Sequence, residues 1–448
     1  MGKSKAAAND QAKKPDFVTP EYIAQMRALR EAKKAAKALE RAANPIEDTD
    51  LAFDTSFVKR PLLKVPFGNG TAPEGLSFTI MTYNVLAQTL IRRKLFPTNG
   101  DALKWRFRSK MLQAEIEHYM PSVLCMQEVD KDKFVTFYEP LLKRLGYETA
   151  FHHGLKKTHG CCIAWKGFDV EERKELSLDD TSDGKPRPLR NTGNIGLGLR
   201  LRSRAQPAQF FVIATTHLFW HPEGSYERVR QSSILVEEMT GLAVDACPVF
   251  IAGDFNTDVT DPNYRCLTSC RPINLNEEDR CVLKRSIEYP FAPQDVDEGG
   301  DDDDAVEDDD TPADDEVGEG AGPTKSSFED MTLLPYSDLV KRHEERCPER
   351  LISLYATKYT SVHAENAHQH GEPAFTNWAR VYRGNLDYVF VLDRGDPSKT
   401  NDITRGVSCG GLLRLPTPDE MPTEGLPREG LYPSDHLAIM AQVTLTSE

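Results

Sequence analysis

The chain has 448 residues, with 55 Lys and Arg against 70 Asp and Glu and a formal net charge of −15. Fifteen of the acids fall between Asp295 and Glu319, where no basic residue occurs, and outside that segment acid and base balance at 55 each, so the charge does not exclude a nucleic-acid substrate. No apolar run approaches the ~18 residues of a membrane span, no apolar h-region follows the Lys- and Ala-rich start, and nine cysteines in no regular framework read as free thiols of a reducing compartment.

Residues 1–50 carry ten basic and five acidic residues up to Asn44 and few large apolar side chains. They read as a basic, helical or partly disordered arm, with Thr19 as N-cap and Pro20 at the first helical position. Residues 51–76 read as a linker and 77–448 as the catalytic domain. Within it, the acidic stretch 294–325 is expected to be a disordered insertion, because self-repulsion and a lack of apolar groups leave nothing to bury.

Strand-like runs recur at Ser77–Leu86, Val123–Val129, Cys161–Trp165, Ile195–Leu201, Phe210–His217, Pro248–Asp254, Leu386–Leu392 and Leu437–Leu445. Helical periodicity lies between some of them, at Leu103–Met120, Phe134–Leu145 and Val229–Val244. Long helices alternating with strands predict an α/β layered domain.

The polar residues sit where these strands stop. Apolar runs end in Asn84, in Gln127–Glu128, in His217 and in Asp254–Phe255–Asn256. A buried carboxylate without a partner is costly, so these groups should meet water, a metal or one another. Asp387 and Asp435–His436 complete the set near the C-terminus.

With Thr82-Tyr83-Asn84, Gln127-Glu128-Val129, Thr216-His217-Leu218, Gly253-Asp254-Phe255-Asn256, Leu386-Asp387-Tyr388 and Ser434-Asp435-His436 in this order, the sequence resembles the endonuclease/exonuclease/phosphatase superfamily. The resemblance implies a four-layer α/β sandwich, two packed mixed sheets flanked by helices. Tyr83 to Gln88, Phe375-Thr376-Asn377 and Tyr432 to His436 look like the deadenylase branch. His217 to Pro222, with Tyr226-Glu227-Arg228 and Arg230-Gln231, is most similar to the fungal Ngl-type RNA exonucleases.

That resemblance implies phosphodiester hydrolysis, which needs an activated water and neutralisation of charge on the phosphoryl group and the leaving oxygen. Glu128 is the expected Mg²⁺ ligand, with Asn84 supporting it and Asp435 on the metal side; Mn²⁺ is expected to substitute. Asp254 orients or deprotonates the water, and Asn256 holds Asp254 or a phosphate oxygen. His436 donates to the phosphoryl oxygen with Asp387 behind it, and His217 is a second imidazole at the phosphate. A second ion at Asp254, Asn256 and Asp435 stays open. Trp220, Phe375 and Trp378 are candidates for base stacking, Asn377 for a base edge, and Arg228, Arg230 and Lys157 for phosphates.

The leading expectation is a 3′→5′ exoribonuclease that releases 5′-mononucleotides from single-stranded RNA. Roles in 3′ trimming of 5.8S rRNA precursors and in deadenylation of A-rich ends both follow from the resemblance. The basic arm would contact pre-ribosomal or ribonucleoprotein particles. A monomer is expected, in the cytoplasm or the nucleus, nucleolus included, with no membrane partner. Two other readings stay open: a nocturnin-like phosphatase acting on a phosphorylated dinucleotide, and a non-catalytic RNA-binding scaffold.

Overall fold

The apolar runs that break off at polar residues pair into two packed sheets. The computed structural model describes residues 53–67, 70–71, 73–244, 247–291, 331–368, 370–395 and 402–446. The arm expected over 1–50 and the insertion expected over 294–325 therefore lie outside the described residues.

The unit Asp54–Glu448 holds every element named here. Its first half runs β1 (Leu62–Lys64), β2 (Leu76–Asn84), α1 (Trp105–Tyr119), β3 (Val123–Asp130), α2 (Glu139–Arg144), β4 (Glu148–His153), β5 (His159–Trp165), β6 (Phe168–Ser177), β7 (Ile195–Ser203) and β8 (Phe210–Thr216). The second half continues with α3 (Ser225–Gly241), β9 (Val249–Asp254), α4 (Pro262–Thr268), α5 (Glu277–Glu288), α6 (Tyr336–Arg346), β10 (Leu351–Ser353) and α7 (Leu354–Val362). It closes with β11 (Asn377–Trp378), β12 (Arg383–Gly384), β13 (Asp387–Leu392), β14 (Asp402–Thr404), β15 (Val407–Leu413) and β16 (Ile439–Leu445).

One sheet has the order β1-β15-β16-β2-β3-β5-β4, with β14 added on β15, and the other is β10-β13-β9-β8-β7-β6. All pairings are antiparallel except β2–β3 and β8–β9, the two places where a helix crosses over between neighbouring strands. The inner faces interdigitate: Phe78 of the first sheet stacks on Phe211 of the second with centroids 4.5 Å apart. The outer faces are covered by helices. Leu112 and Ile116 of α1 share a cluster with Met81, Leu124 and Met126, and Leu235 and Met239 of α3 share one with Val212 and Ile251. A β-carbon on Gly198 would stand 2.2 Å from the Met239 sulfur, so that glycine is what lets α3 lie so close to β7. The result is the expected four-layer α/β sandwich. Among the described residues no helix is long and apolar enough to cross a membrane.

Two expectations are corrected. The residues read as a linker include β1, which pairs with β15, and Arg60, which is buried against Glu115 and Tyr119; the chain from Asp54 onward is thus part of the layered body. Phe134–Leu145 is not one regular helix, since Phe134–Tyr138 is a π-helical turn that feeds α2.

Candidate active site

The two crossover units deliver four side chains to one pole. β2 and β3 are parallel, their pairing ends at Asn84 and Gln127, and Glu128 follows at the bulge; β8 and β9 are parallel and lead to His217 and Asp254. Strand C-termini of this kind are where α/β sheets build sites. Asp387 enters from the start of antiparallel β13, directly opposite Asp254, and His436 from the turn before β16.

Asn84 joins the sheets. Its Nδ2 donates to Glu128 Oε1 at 2.9 Å and to Asp254 Oδ2 at 2.8 Å. His217 Nε2 lies 3.6 Å from the same Asp254 oxygen and 4.0 Å from Glu128 Oε1, and His436 Nε2 lies 3.7 Å from Asp254 Oδ2. Glu128 reaches in because β3 bulges: Met126 faces Cys162 and Val129 faces Gly160, leaving two residues opposite one. Glu128 itself has φ 57°, a left-handed conformation that a non-glycine residue holds only where the surroundings enforce it. Here Asn84 and the Ala87 N–H, 2.9 Å from Oε2, fix its carboxylate. Asn256, also left-handed at φ 46°, donates its N–H to Asp254 Oδ1 and its side-chain amide to the Leu218 carbonyl.

Asp387 Oδ2 and His436 Nδ1 are 2.8 Å apart. Burial alone would depress this imidazole, but the Asp387 and Asp254 carboxylates outweigh it and hold His436 well above the ordinary histidine range. Desolvation pushes the Asp435 carboxyl upward, opposed by His436 and Arg108. Asp254, Asp387 and His436 offer ligand atoms within 4.8 Å of one another. The imidazole is nevertheless held at both nitrogens by carboxylates, which suits a proton donor in a relay more than a chelate. A hard divalent cation is better matched by the Glu128 oxygens beside Asp254, while Asn84 bridges the two carboxylates through its Nδ2 without adding charge. The donor set therefore fits such an ion.

Several supports were not singled out as such by the sequence, though Gln88, Thr376 and Ser434 lie within its motifs. Arg108 of α1 is fully buried and donates to the carbonyls of Val85, Leu86 and Pro433 and to Gln88 Oε1. It thereby ties the segment after Asn84 to the segment before His436. Ser434 Oγ donates to the Asn84 carbonyl at 2.7 Å. Thr376 Oγ1 accepts the N–H groups of Leu386 and Asp387, and Asn194 donates to the His217 carbonyl. Asp130 accepts from the Gln88 N–H and the Thr89 hydroxyl, and burial pushes it up to about 6. A periodicity argument cannot see contacts between segments this far apart in sequence.

The expected substrate contacts divide. Trp220 is 43 % exposed, and the Lys157 stem runs along Gly193, beside Asn194. Asn377 is buried and bridges to His436, with its Oδ1 accepting the Ala379 N–H. Phe375 and Trp378 are not open stacking faces: both are buried, their rings 4.5 Å apart, with the Arg383 guanidinium covering Trp378. Arg228 and Arg230 are not phosphate contacts either. Arg228 is spent on Asp261 and on the carbonyls of Phe219, His221 and Pro222, and Arg230 on Glu227 and the carbonyls of Leu178 and Pro186. An arginine this deep serves as a carbonyl clamp: its charge is offset by a carboxylate, Asp261 or Glu227, and its remaining N–H groups satisfy buried carbonyls.

The model of the endonuclease/exonuclease/phosphatase family matches residues 81–436. The chain is 41% identical to a probable RNA exonuclease of Schizosaccharomyces pombe, over 96% of this chain and 89% of that protein. It is 34% identical to RNA exonuclease NGL2 of Saccharomyces cerevisiae, over 97% and 90%. Among solved structures it is similar to ANGEL2, a 2′,3′-cyclic phosphatase, with TM-score 0.58 and 22% identity over 87% of this chain and 99% of that one. The human Nocturnin catalytic domain follows, with TM-score 0.50 and 20% identity over 84% and 97%. At these identities the likeness to the solved structures is one of fold.

Proposed function

The chain belongs to the endonuclease/exonuclease/phosphatase family, and within it we propose a Mg²⁺-dependent 3′→5′ exoribonuclease that cuts single-stranded RNA to 5′-mononucleotides. The observation that carries this reading is the grouping of Asn84, His217 and His436 around one oxygen of Asp254, with Glu128 alongside.

In this mechanism Asp254 takes the proton of the attacking water. Asn84 Nδ2 and the Asn256 N–H fix the direction of its two oxygens. His436, cationic between Asp387 and Asp254, donates to the phosphoryl oxygen as charge builds there, and His217 does the same from the other side. Asn84 keeps Glu128 and Asp254 at a fixed separation. Glu128, with Asp435 nearby in the sequence motif before His436, would hold a divalent cation, which when bound would supply charge neutralisation at the phosphate. The RNA preference rests on the two fungal relatives named as RNA exonucleases and on the exposed Trp220, three positions after His217. Trimming of rRNA precursors and deadenylation are the two roles this activity fits, with the basic arm as the contact to ribonucleoprotein.

The test is a product assay. The protein and a Glu128→Ala control receive 5′-labelled A-tailed and mixed-sequence RNA, and in parallel NADPH, with Mg²⁺ or chelator. The expected outcome is a Mg²⁺-dependent ladder shortening from the 3′ end, absent in the control. Intact RNA beside phosphate released from NADPH would replace this reading with a dinucleotide phosphatase.

A further inference from the structure

Next to the catalytic pole the loop after β8 carries aromatic side chains that meet others from a distant segment. Trp220 and His221 have ring centroids 5.3 Å apart, His221 lies 5.0 Å from both Tyr289 and Phe291, and these two are 4.8 Å apart. Trp220 and Tyr289 keep 43 % and 36 % of their surface open. The Arg190 guanidinium sits 5.4 Å from the Phe291 ring. A cluster that served packing alone would bury its largest rings; this one turns them outward, three residues beyond His217.

The patch is built stiff. Arg228 clamps the carbonyls of Phe219, His221 and Pro222, and Gln231 accepts the Phe219 N–H. Ser286 near the end of α5 donates to the Glu223 carbonyl, and Arg285 pairs with Glu223, so the stretch leading to Tyr289 is pinned to the same loop. Two open rings on a stiff, edge-packed aromatic support, with an arginine beside it, match unpaired nucleobases, which offer a π-face whatever their identity. A base-paired duplex offers no such faces along its length.

We propose that Trp220 and Tyr289, backed by the buried His221 ring and the half-buried Phe291, form a stacking platform for the bases of single-stranded RNA upstream of the bond being cut. The platform deepens the exoribonuclease reading and rests on it for the direction of the strand. It makes longer RNA bind more tightly than a trinucleotide that fills only the catalytic pole.

The test measures affinity by fluorescence anisotropy, using the full chain in chelator so that nothing is cut. Labelled single-stranded RNAs are a trinucleotide and an oligomer of about ten nucleotides. The ratio of the two affinities is expected to fall about tenfold in Trp220→Leu and in Tyr289→Leu, and to be retained in Tyr289→Phe. An unchanged ratio in both leucine variants overturns the platform, as does an equal loss on both lengths, which marks a structural disturbance. A wild-type chain that shows the length-dependent affinity yet cuts no RNA with Mg²⁺ supports the platform and overturns the exoribonuclease reading.

Discussion

Asp387 Oδ2 lies 2.8 Å from His436 Nδ1, while the opposite nitrogen of the same ring faces Asp254 Oδ2 at 3.7 Å. The imidazole is thus held between two carboxylates, which keeps it cationic to higher pH than an ordinary histidine. Asp387→Asn preserves shape and removes one of those charges. A raised histidine stays protonated until pH passes its folded value, so activity that needs the imidazolium is lost on the alkaline side. The variant is expected to lose about 100-fold in kcat and to shift that alkaline limb to lower pH. A pH–rate profile of both proteins checks it, and an unmoved limb would remove His436 from the proton-donating role.

Glu128 is placed by a bulge and held by two donors, Asn84 Nδ2 and the Ala87 N–H. Glu128→Gln keeps the volume and loses the charge that a hard cation requires. The Mg²⁺ concentration for half-maximal rate is expected to rise about tenfold or more, and calorimetry should show the same weakening of ion binding without RNA. Equal Mg²⁺ dependence in variant and wild type would place the ion elsewhere.

The candidate site was more legible in the sequence than its scaffolding. Asn84, Glu128, His217, Asp254, Asp387 and His436 stood out because each interrupts or borders an apolar run, and the sheets bring all six together. The eight apolar runs all became strands. β6 escaped because its Glu171 to Glu175 stretch is exposed and charged, and β15 because Gly410 and Gly411 sit in its middle. The arginines misled. In Tyr226-Glu227-Arg228-Val229-Arg230 a charge looks solvent-facing on composition alone, yet Arg230 is fully buried on Glu227. Only the fold says that α3 lies against the sheet across this turn, and that its carbonyl-rich neighbours need donors.

Arg108 is a fully buried link between two segments of the site. Its four acceptors sit on segments that follow Asn84 and precede His436. Lysine cannot span them, because it lacks the planar fork. Arg108→Lys is expected to cost about 3 kcal/mol of stability, through carbonyls left buried without donors. It should also lower kcat more than it raises KM, since the two segments carry reacting groups. Denaturant unfolding together with steady-state kinetics checks both parts; a loss of stability with kcat intact would reduce Arg108 to a structural strut.

His343 of α6 gives the fold a pH dependence unrelated to catalysis. It is fully buried, its Nε2 3.0 Å from the Cys266 carbonyl and 3.2 Å from the Arg271 guanidinium. Desolvation, reinforced by Arg271, pushes it down to about 3. A histidine depressed in the folded state favours folding above its unfolded value of about 6.5, and that contribution is lost as pH falls toward the folded value. Between pH 7.5 and pH 5.5 this one group should remove about 1.4 kcal/mol of unfolding free energy. His343→Gln keeps a donor for the Cys266 carbonyl and has nothing to titrate. It is expected to start less stable at pH 7.5 and to show a drop between the two pH values smaller by about the same 1.4 kcal/mol. Urea unfolding of both proteins at the two pH values is the check, and identical drops would mean that His343 is already charged in the folded chain.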